Sequence, residues 1–161
     1  MIYKATLDKT AIIVSVAVTL LLVFVMLVTY PIIRDRTDLN PVYLPIFLIL
    51  VYIGAYVFRP IGYIVTPEEL IISRIVLPVR IRRSDILRVE QIDRKMIRGS
   101  IRTFGVGGLF GYYGYFANRT LGRMRWYVTR KDKPVLITTG ENKKLIVTPD
   151  DAERFVMEFK S

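Results

Sequence analysis

Two long stretches without a charged side chain stand near the start of the chain, and a different rhythm follows them. Between Lys9 and Arg34 the residues are mostly Val, Leu and Ile, with no polar stripe at helical spacing. About 24 such residues make a helix of roughly 36 Å, enough to cross a bilayer with some tilt. A second uncharged stretch runs from Leu39 to Phe58, with Pro41 and Pro45 confined to its first turns. At about 20 residues it reaches roughly 30 Å. After Pro60 the pattern breaks into short runs rich in Val, Ile and Tyr, separated by turn residues.

Those runs predict strands at Gly62–Val65, Leu70–Ile75, Val79–Arg82, Leu87–Ile92, Arg123–Thr129, Val135–Thr139 and Lys144–Val147. Thr66-Pro67-Glu68-Glu69, Leu77-Pro78, Lys131-Asp132-Lys133-Pro134 and Gly140-Glu141-Asn142-Lys143 supply the reversals between them. Seven short strands suggest a barrel or sandwich. A terminal helix follows, because Thr148-Pro149-Asp150-Asp151 offers an N-cap, a proline for the first turn and acids for the positive end. Ala152, Phe155, Val156 and Phe159 then share one face, suited to plugging an open barrel end.

Charge assigns a side to each part. The chain carries +10 with 24 Lys and Arg against 14 Asp and Glu, and Val79–Lys133 alone holds 14 basic and 4 acidic residues. Lys4, Lys9, Arg59, Arg74, Arg80, Arg82 and Arg83 flank the two apolar stretches on one side, against two Arg and two Asp between them. The positive-inside bias therefore places both termini in the cytoplasm of a two-span, multi-pass inner-membrane protein. The expected layout is a cytoplasmic N-terminus at 1–9, spans at 10–33 and 41–59, a short extracytoplasmic loop at 34–40, and a cytoplasmic domain at 60–161. A cleaved leader fits poorly, since the first apolar core far exceeds a signal h-region and no small-residue cleavage site follows it.

Candidate chemistry is sparse. With no cysteine and no histidine, thiol nucleophiles, disulfides, imidazole catalysis and Cys/His metal sites are excluded. The acidic pairs Glu68-Glu69 and Asp150-Asp151 have structural explanations in a turn and a helix cap, so neither an enzyme nor a cofactor is expected. The spans hold Ser15, Thr19, Thr29 and Gly54 but nothing ionisable, which favours an anchor over a transport path.

Two basic patterns suggest binding. Arg123, Arg125 and Tyr127 alternate with Met124, Trp126 and Val128, and Arg80 and Arg82 alternate with Val79 and Ile81. Arginine suits bidentate capture of phosphate or carboxylate. This gives a candidate anion or lipid-headgroup set of Arg80, Arg82, Arg83, Arg94, Lys95, Arg98, Arg102, Arg119, Arg123 and Arg125. A solvated basic face that only follows the topology bias explains the same residues. Glycines at 105, 108, 111 and 114 recur every three residues. They lack the G-x-G-x-x-G and P-loop spacings and interleave with Phe104, Leu109, Phe110, Tyr112, Tyr113, Tyr115 and Phe116. That loop either docks on the membrane or an adjoining helix, or folds back as an internal cover or a self-association surface.

Several motifs together resemble the bacterial pleckstrin-homology (PH)-like domains, over roughly Ile61 to the end. They are Tyr63-x-x-Thr66 leading to Leu70, Arg83-Ser84-Asp85-Ile86 with Val89, and Thr148-Pro149-Asp150-Asp151 with Phe155. The run Arg102 to Phe116, with Leu121-Gly122 and Trp126-Tyr127-Val128-Thr129, is similar to the hallmark of a membrane-bound branch of that family. The resemblance implies an all-β, seven-stranded barrel capped by a C-terminal α-helix and used for binding, here behind a two-helix transmembrane hairpin. The expected partners are the bilayer and its anionic headgroups, or another membrane protein or a second copy. In the competing reading the chain is a non-catalytic assembly subunit packing through its spans and aromatic loop. Nucleic acid is disfavoured by the tether and by the absence of any recognisable nucleic-acid motif.

Overall fold

The computed structural model describes residues 1–34, 40–140 and 142–160. Residues 35–39 of the loop expected at 34–40, and Glu141 of the expected last turn, lie outside the described residues, while Arg34 and Asn40 belong to helices. In chain order the elements are β1 (Ile2–Lys4), α1 (Lys9–Arg34), α2 (Asn40–Val57), β2 (Pro60–Val65), β3 (Glu69–Arg74) and β4 (Val79–Arg82). A 3-10 turn at Arg83–Asp85 leads to β5 (Ile86–Gln91), α3 (Arg94–Ile97), β6 (Ile101–Gly108) and β7 (Gly111–Asn118). β8 (Gly122–Val128), β9 (Val135–Thr139), β10 (Lys144–Val147) and α4 (Ala152–Met157) complete the chain.

The strands form two sheets, β1-β2-β3-β4 and β5-β9-β10-β8-β7-β6. The expected closed seven-stranded barrel is therefore corrected to a sandwich of four and six strands, for two reasons. The 3-10 turn at Arg83–Asp85 interrupts the chain between β4 and β5, which pair only with β3 and β9. Three strands also escape the period-of-two pattern. β1 is three residues long, and the Gly/aromatic run expected as a loop is the hairpin β6–β7, paired from Ile101↔Ala117 to Gly108↔Gly111 with a register shift between Arg102 and Phe104.

Each face of the larger sheet carries its own apolar core. On one face Tyr127, Val135, Ile137 and Val147 meet Tyr63, Leu70 and Ile72 of the smaller sheet and Phe155 of α4. On the other, Trp126, Val128, Leu136 and Ile146 meet Tyr112 and Phe116 of the hairpin, Ile97 of α3 and Ala11 of α1. β8 is thus apolar on both sides beyond Arg125, and Tyr127 is not on a solvated arginine face as its spacing suggested. Tyr63 ties the sheets together, because its buried hydroxyl donates to the Tyr127 carbonyl at 2.6 Å and accepts from the Thr148 N–H at 3.1 Å.

The terminal helix has the expected inward face, with Ala152, Phe155 and Val156 buried and Phe159 packed beside them. Its cap is Asp151, whose carboxylate accepts from Arg154 N at 3.1 Å. Thr148 is too deep to serve, since its hydroxyl sits at 0% exposure and accepts from Thr129 N at 3.0 Å.

α1 and α2 behave oppositely to the strands. Leu20, Leu21, Phe24 and Leu27 of α1 and Phe47 and Leu50 of α2 are exposed. Among the described residues, Lys9–Pro31 is the one helical segment long and apolar enough to cross a membrane, at mean hydropathy 3.1 with 11% of its most apolar stretch buried. A core helix of a soluble domain would bury that surface, so its exposure points to membrane anchoring. Tyr43–Val57 is apolar but shorter. One candidate span stands on this ground, where two spans were expected.

Candidate functional site

Positive charge gathers where α3 meets the β6–β7 hairpin. Asp93 starts α3 by accepting from Lys95 N at 2.7 Å, which turns Arg94, Lys95 and Arg98 out of the short helix. Asn118, near the end of β7, fastens this corner, since its amide donates to Met96 O at 2.7 Å and Ser100 Oγ at 2.9 Å. Its oxygen accepts from Leu121 N at 2.7 Å. The result is a cleft of about 920 Å³ whose rim carries Arg94, Lys95, Arg98, Arg102 and Lys131.

The floor is aromatic. Phe116 and Trp126 stack with ring centroids 4.1 Å apart and planes 13° from parallel, and Tyr112 continues the surface. Lys131 Nζ lies 3.8 Å from the Tyr112 ring centroid, a cation-π contact. Burial lowers the Lys131 pKa and the Arg94 charge adds to this, while Asp8 opposes it. An anion arriving here would relieve that repulsion. The Tyr112 hydroxyl meets Asp8 Oδ1 at 3.3 Å, and burial together with the Asp8 charge pushes it up to about 12, so it remains a neutral phenol. Asp8 also caps α1, accepting from Ala11 N at 2.7 Å. The cleft therefore stands beside the first turn of the apolar helix. The Trp126 Nε1–H is buried below it with no partner among the described residues.

Four of the ten expected basic residues, Arg94, Lys95, Arg98 and Arg102, are brought together here. The other six are not. Arg80 pairs with Glu69 at 2.8 Å on the smaller sheet, and Arg82 is exposed on the same strand. Arg83 donates to the Glu158 carbonyl and lies 5.0 Å from the Phe159 ring centroid. Arg119 occupies the β7–β8 turn, and Arg123 and Arg125 are exposed on β8, with Arg125 over Tyr115 at 5.3 Å. Sequence reasoning missed Lys131, which was read only as part of a turn. The signal was present in the dense run Arg130-Lys131-Asp132-Lys133.

The Gly/aromatic residues divide by strand face. Phe104 and Tyr115, cross-strand neighbours, are exposed at 75% and 51%, and Leu109 at the tip is half-buried. Tyr112 and Phe116 lie in the second core. Phe110 inserts against α2, edge-on to Tyr52 and Tyr56 with centroids at 5.3 and 5.1 Å, and its N–H donates to Ser15 Oγ of α1 at 2.8 Å. Tyr113 donates to the Ala55 carbonyl. The tip thus meets the chain's own two helices.

A two-sheet β-sandwich with a closing C-terminal helix, entered from an apolar N-terminal helix, defines a PH-like domain. The profile of the bacterial PH domain family matches residues 61–161, and the chain belongs to that family. No curated protein and no solved structure matches the chain. Membership of this family suggests a binding or scaffold module.

Proposed function

We propose that this protein is a non-enzymatic binding module, anchored in the inner membrane by α1 and α2 as two spans with both termini in the cytoplasm, whose basic cleft takes the phosphate of an anionic lipid headgroup. One observation carries the reading. Five cationic side chains converge over an aromatic floor directly beside the turn where the apolar helix begins. Arginine forks suit a phosphodiester, and the aromatic floor offers a surface for the C–H face of the headgroup glycerol. Each cation near an anionic leaflet contributes about 1 kcal/mol, and the tether removes most of the cost of finding the surface.

The test uses the full chain, because residues 1–11 are part of the folded domain. β1 pairs with β2, and Thr6 N donates to Asp150 at 3.0 Å. Trp126, the single tryptophan, lines the cleft and reports on it. Short-chain phosphatidylglycerol titrated into the detergent-purified protein should change its emission saturably, and phosphatidylcholine should not. Arg98→Gln with Arg102→Gln removes about 2 kcal/mol, which weakens the apparent affinity about thirtyfold. Equal responses to both lipids would end the headgroup reading. They would favour the assembly-subunit alternative, whose association through apolar helices persists in high salt.

A further inference from the structure

We propose that the β3–β4 turn, residues 75–78, is a second membrane contact that dips into the bilayer interface beside the exit of α2. The idea rests on the anchoring reading above but not on the basic cleft.

Strand register sets the turn's place. β2 starts at Pro60, just after α2 ends at Val57, and β3 runs back antiparallel to it until Arg74 stands opposite Pro60. The chain then continues past that level before β4 returns with Val79 opposite Ile72. The midpoint of the turn falls between Ile75 and Val76, so it reaches at most about 5 Å past Arg74 toward the helix. A side chain ties the overhang to α2, because the Arg74 guanidinium lies 5.5 Å from the Phe58 ring centroid and donates to the Leu77 carbonyl.

The turn's composition is wrong for water. Ile75, Val76 and Leu77 are consecutive, apolar and 47%, 43% and 63% exposed. Leu77 also takes a left-handed φ of 54°, a conformation that branched side chains pay strain to adopt. Phe58 and Ile61, both exposed, carry the apolar surface of α2 down to this turn, so the two surfaces form one margin. Arg59, 4.4 Å from the Tyr56 ring centroid, and Arg74 stand along that margin. Guanidiniums resting on aromatic rings at a helix exit match the level of lipid phosphates, with aliphatic side chains just beneath. The hairpin tip bearing Phe110 already reaches Tyr52 and Tyr56, on the membrane side of Arg59. The occupant that fits is therefore the bilayer interface, with anionic phosphates at Arg59 and Arg74 and acyl chains against Leu77.

The chain contains no cysteine, so a single introduced thiol is a unique label site. Leu77→Cys, Leu21→Cys on α1 and Leu87→Cys at the start of β5 are each carried by an exposed leucine. Nitroxide-labelled full-length variants in phosphatidylcholine/phosphatidylglycerol vesicles are compared for collision with oxygen and with a water-soluble nickel chelate. Retained Trp126 emission confirms folding of each. The expected result is strong oxygen preference at Leu21, strong nickel preference at Leu87, and an oxygen-to-nickel ratio at Leu77 several-fold above that at Leu87. A Leu77 label as aqueous as the Leu87 label, with Leu21 in lipid, overturns the turn's role and leaves the anchor standing. An aqueous Leu21 label overturns both. A Leu77 label shielded from both reagents identifies protein as the occupant and also overturns the proposal.

Discussion

The two apolar cores lie back to back on the six-stranded sheet, yet different neighbours close them. The first is sealed by the smaller sheet and α4, with Tyr63 and Phe155 at 0% exposure. The second is sealed by a hairpin, one turn of α3 and Ala11 of α1. The first can form from a β-domain and its terminal helix. The second is complete only when the apolar helix is in place. The difference teaches that α1 is a structural wall of the domain, and that the family match beginning at residue 61 understates the folding unit.

The comparison breaks most easily at Phe155. Truncating a fully buried ring costs about 4 kcal/mol. Phe155→Ala should therefore lower the unfolding free energy from urea titration of the purified chain by that amount in detergent and in vesicles alike, since neither apolar helix contributes a residue to this core. A loss that depended on the surrounding lipid would show that the first core is not self-contained.

The next largest effect belongs to the second core. Gly105 and Gly114 face one another across β6–β7, both with φ near 120°. A Cβ on Gly114 would stand 2.7 Å from the Gly105 Cα. Gly114→Ala combines that clash with a disfavoured conformation and should cost about 3 kcal/mol. The hairpin is what carries Phe110 to the helices, so the variant should also expose the tip to protease while α4 and the first core stay protected. Uniform loss of protection would merge the two cores into one cooperative unit.

The smallest effect sharpens the seam between them. Burial alone would raise the Asp150 carboxyl, but the Thr6 N–H and hydroxyl and the Arg130 guanidinium together hold it below its ordinary 3.8. The Arg130 hydrogen bond does the same for Asp132. A depressed carboxyl stabilises the fold at every pH above its ordinary value and stops doing so as pH falls through the lowered one. The urea midpoint should thus be unaffected by these groups from neutral pH down to about 4 and drop below it. Asp150→Asn should flatten part of that drop, and an unchanged acid limb would remove Asp150 from the seam.

What the sequence reveals follows from how regular each element is. All seven expected strands occur, three with the same bounds and four shifted by one or two residues, because alternating Val, Ile and Tyr reports a half-buried strand directly. The hairpin β6–β7 was illegible because glycine at every third position erases the period of two. β1 was illegible because three residues before a long helix carry no pattern, although Tyr3 lies in the first core. The cleft was legible as residues but not as a place. Arg94, Arg98 and Arg102 read as basic, yet the fold alone separates them from Arg80 and Arg123 and adds Lys131 from thirty residues away.

The parallel pairing of β10 with β8 has a consequence for biosynthesis. It joins two antiparallel triplets, β5-β9-β10 and β8-β7-β6, and among the described residues it is the one strand pairing between them. Emerging from the ribosome, the chain has made both helices before any of that sheet exists, and the joint must wait for Leu145 to Val147. The lining of the cleft, drawn from Asp93 to Lys131, is thus synthesised before that joint can close, against a wall already laid.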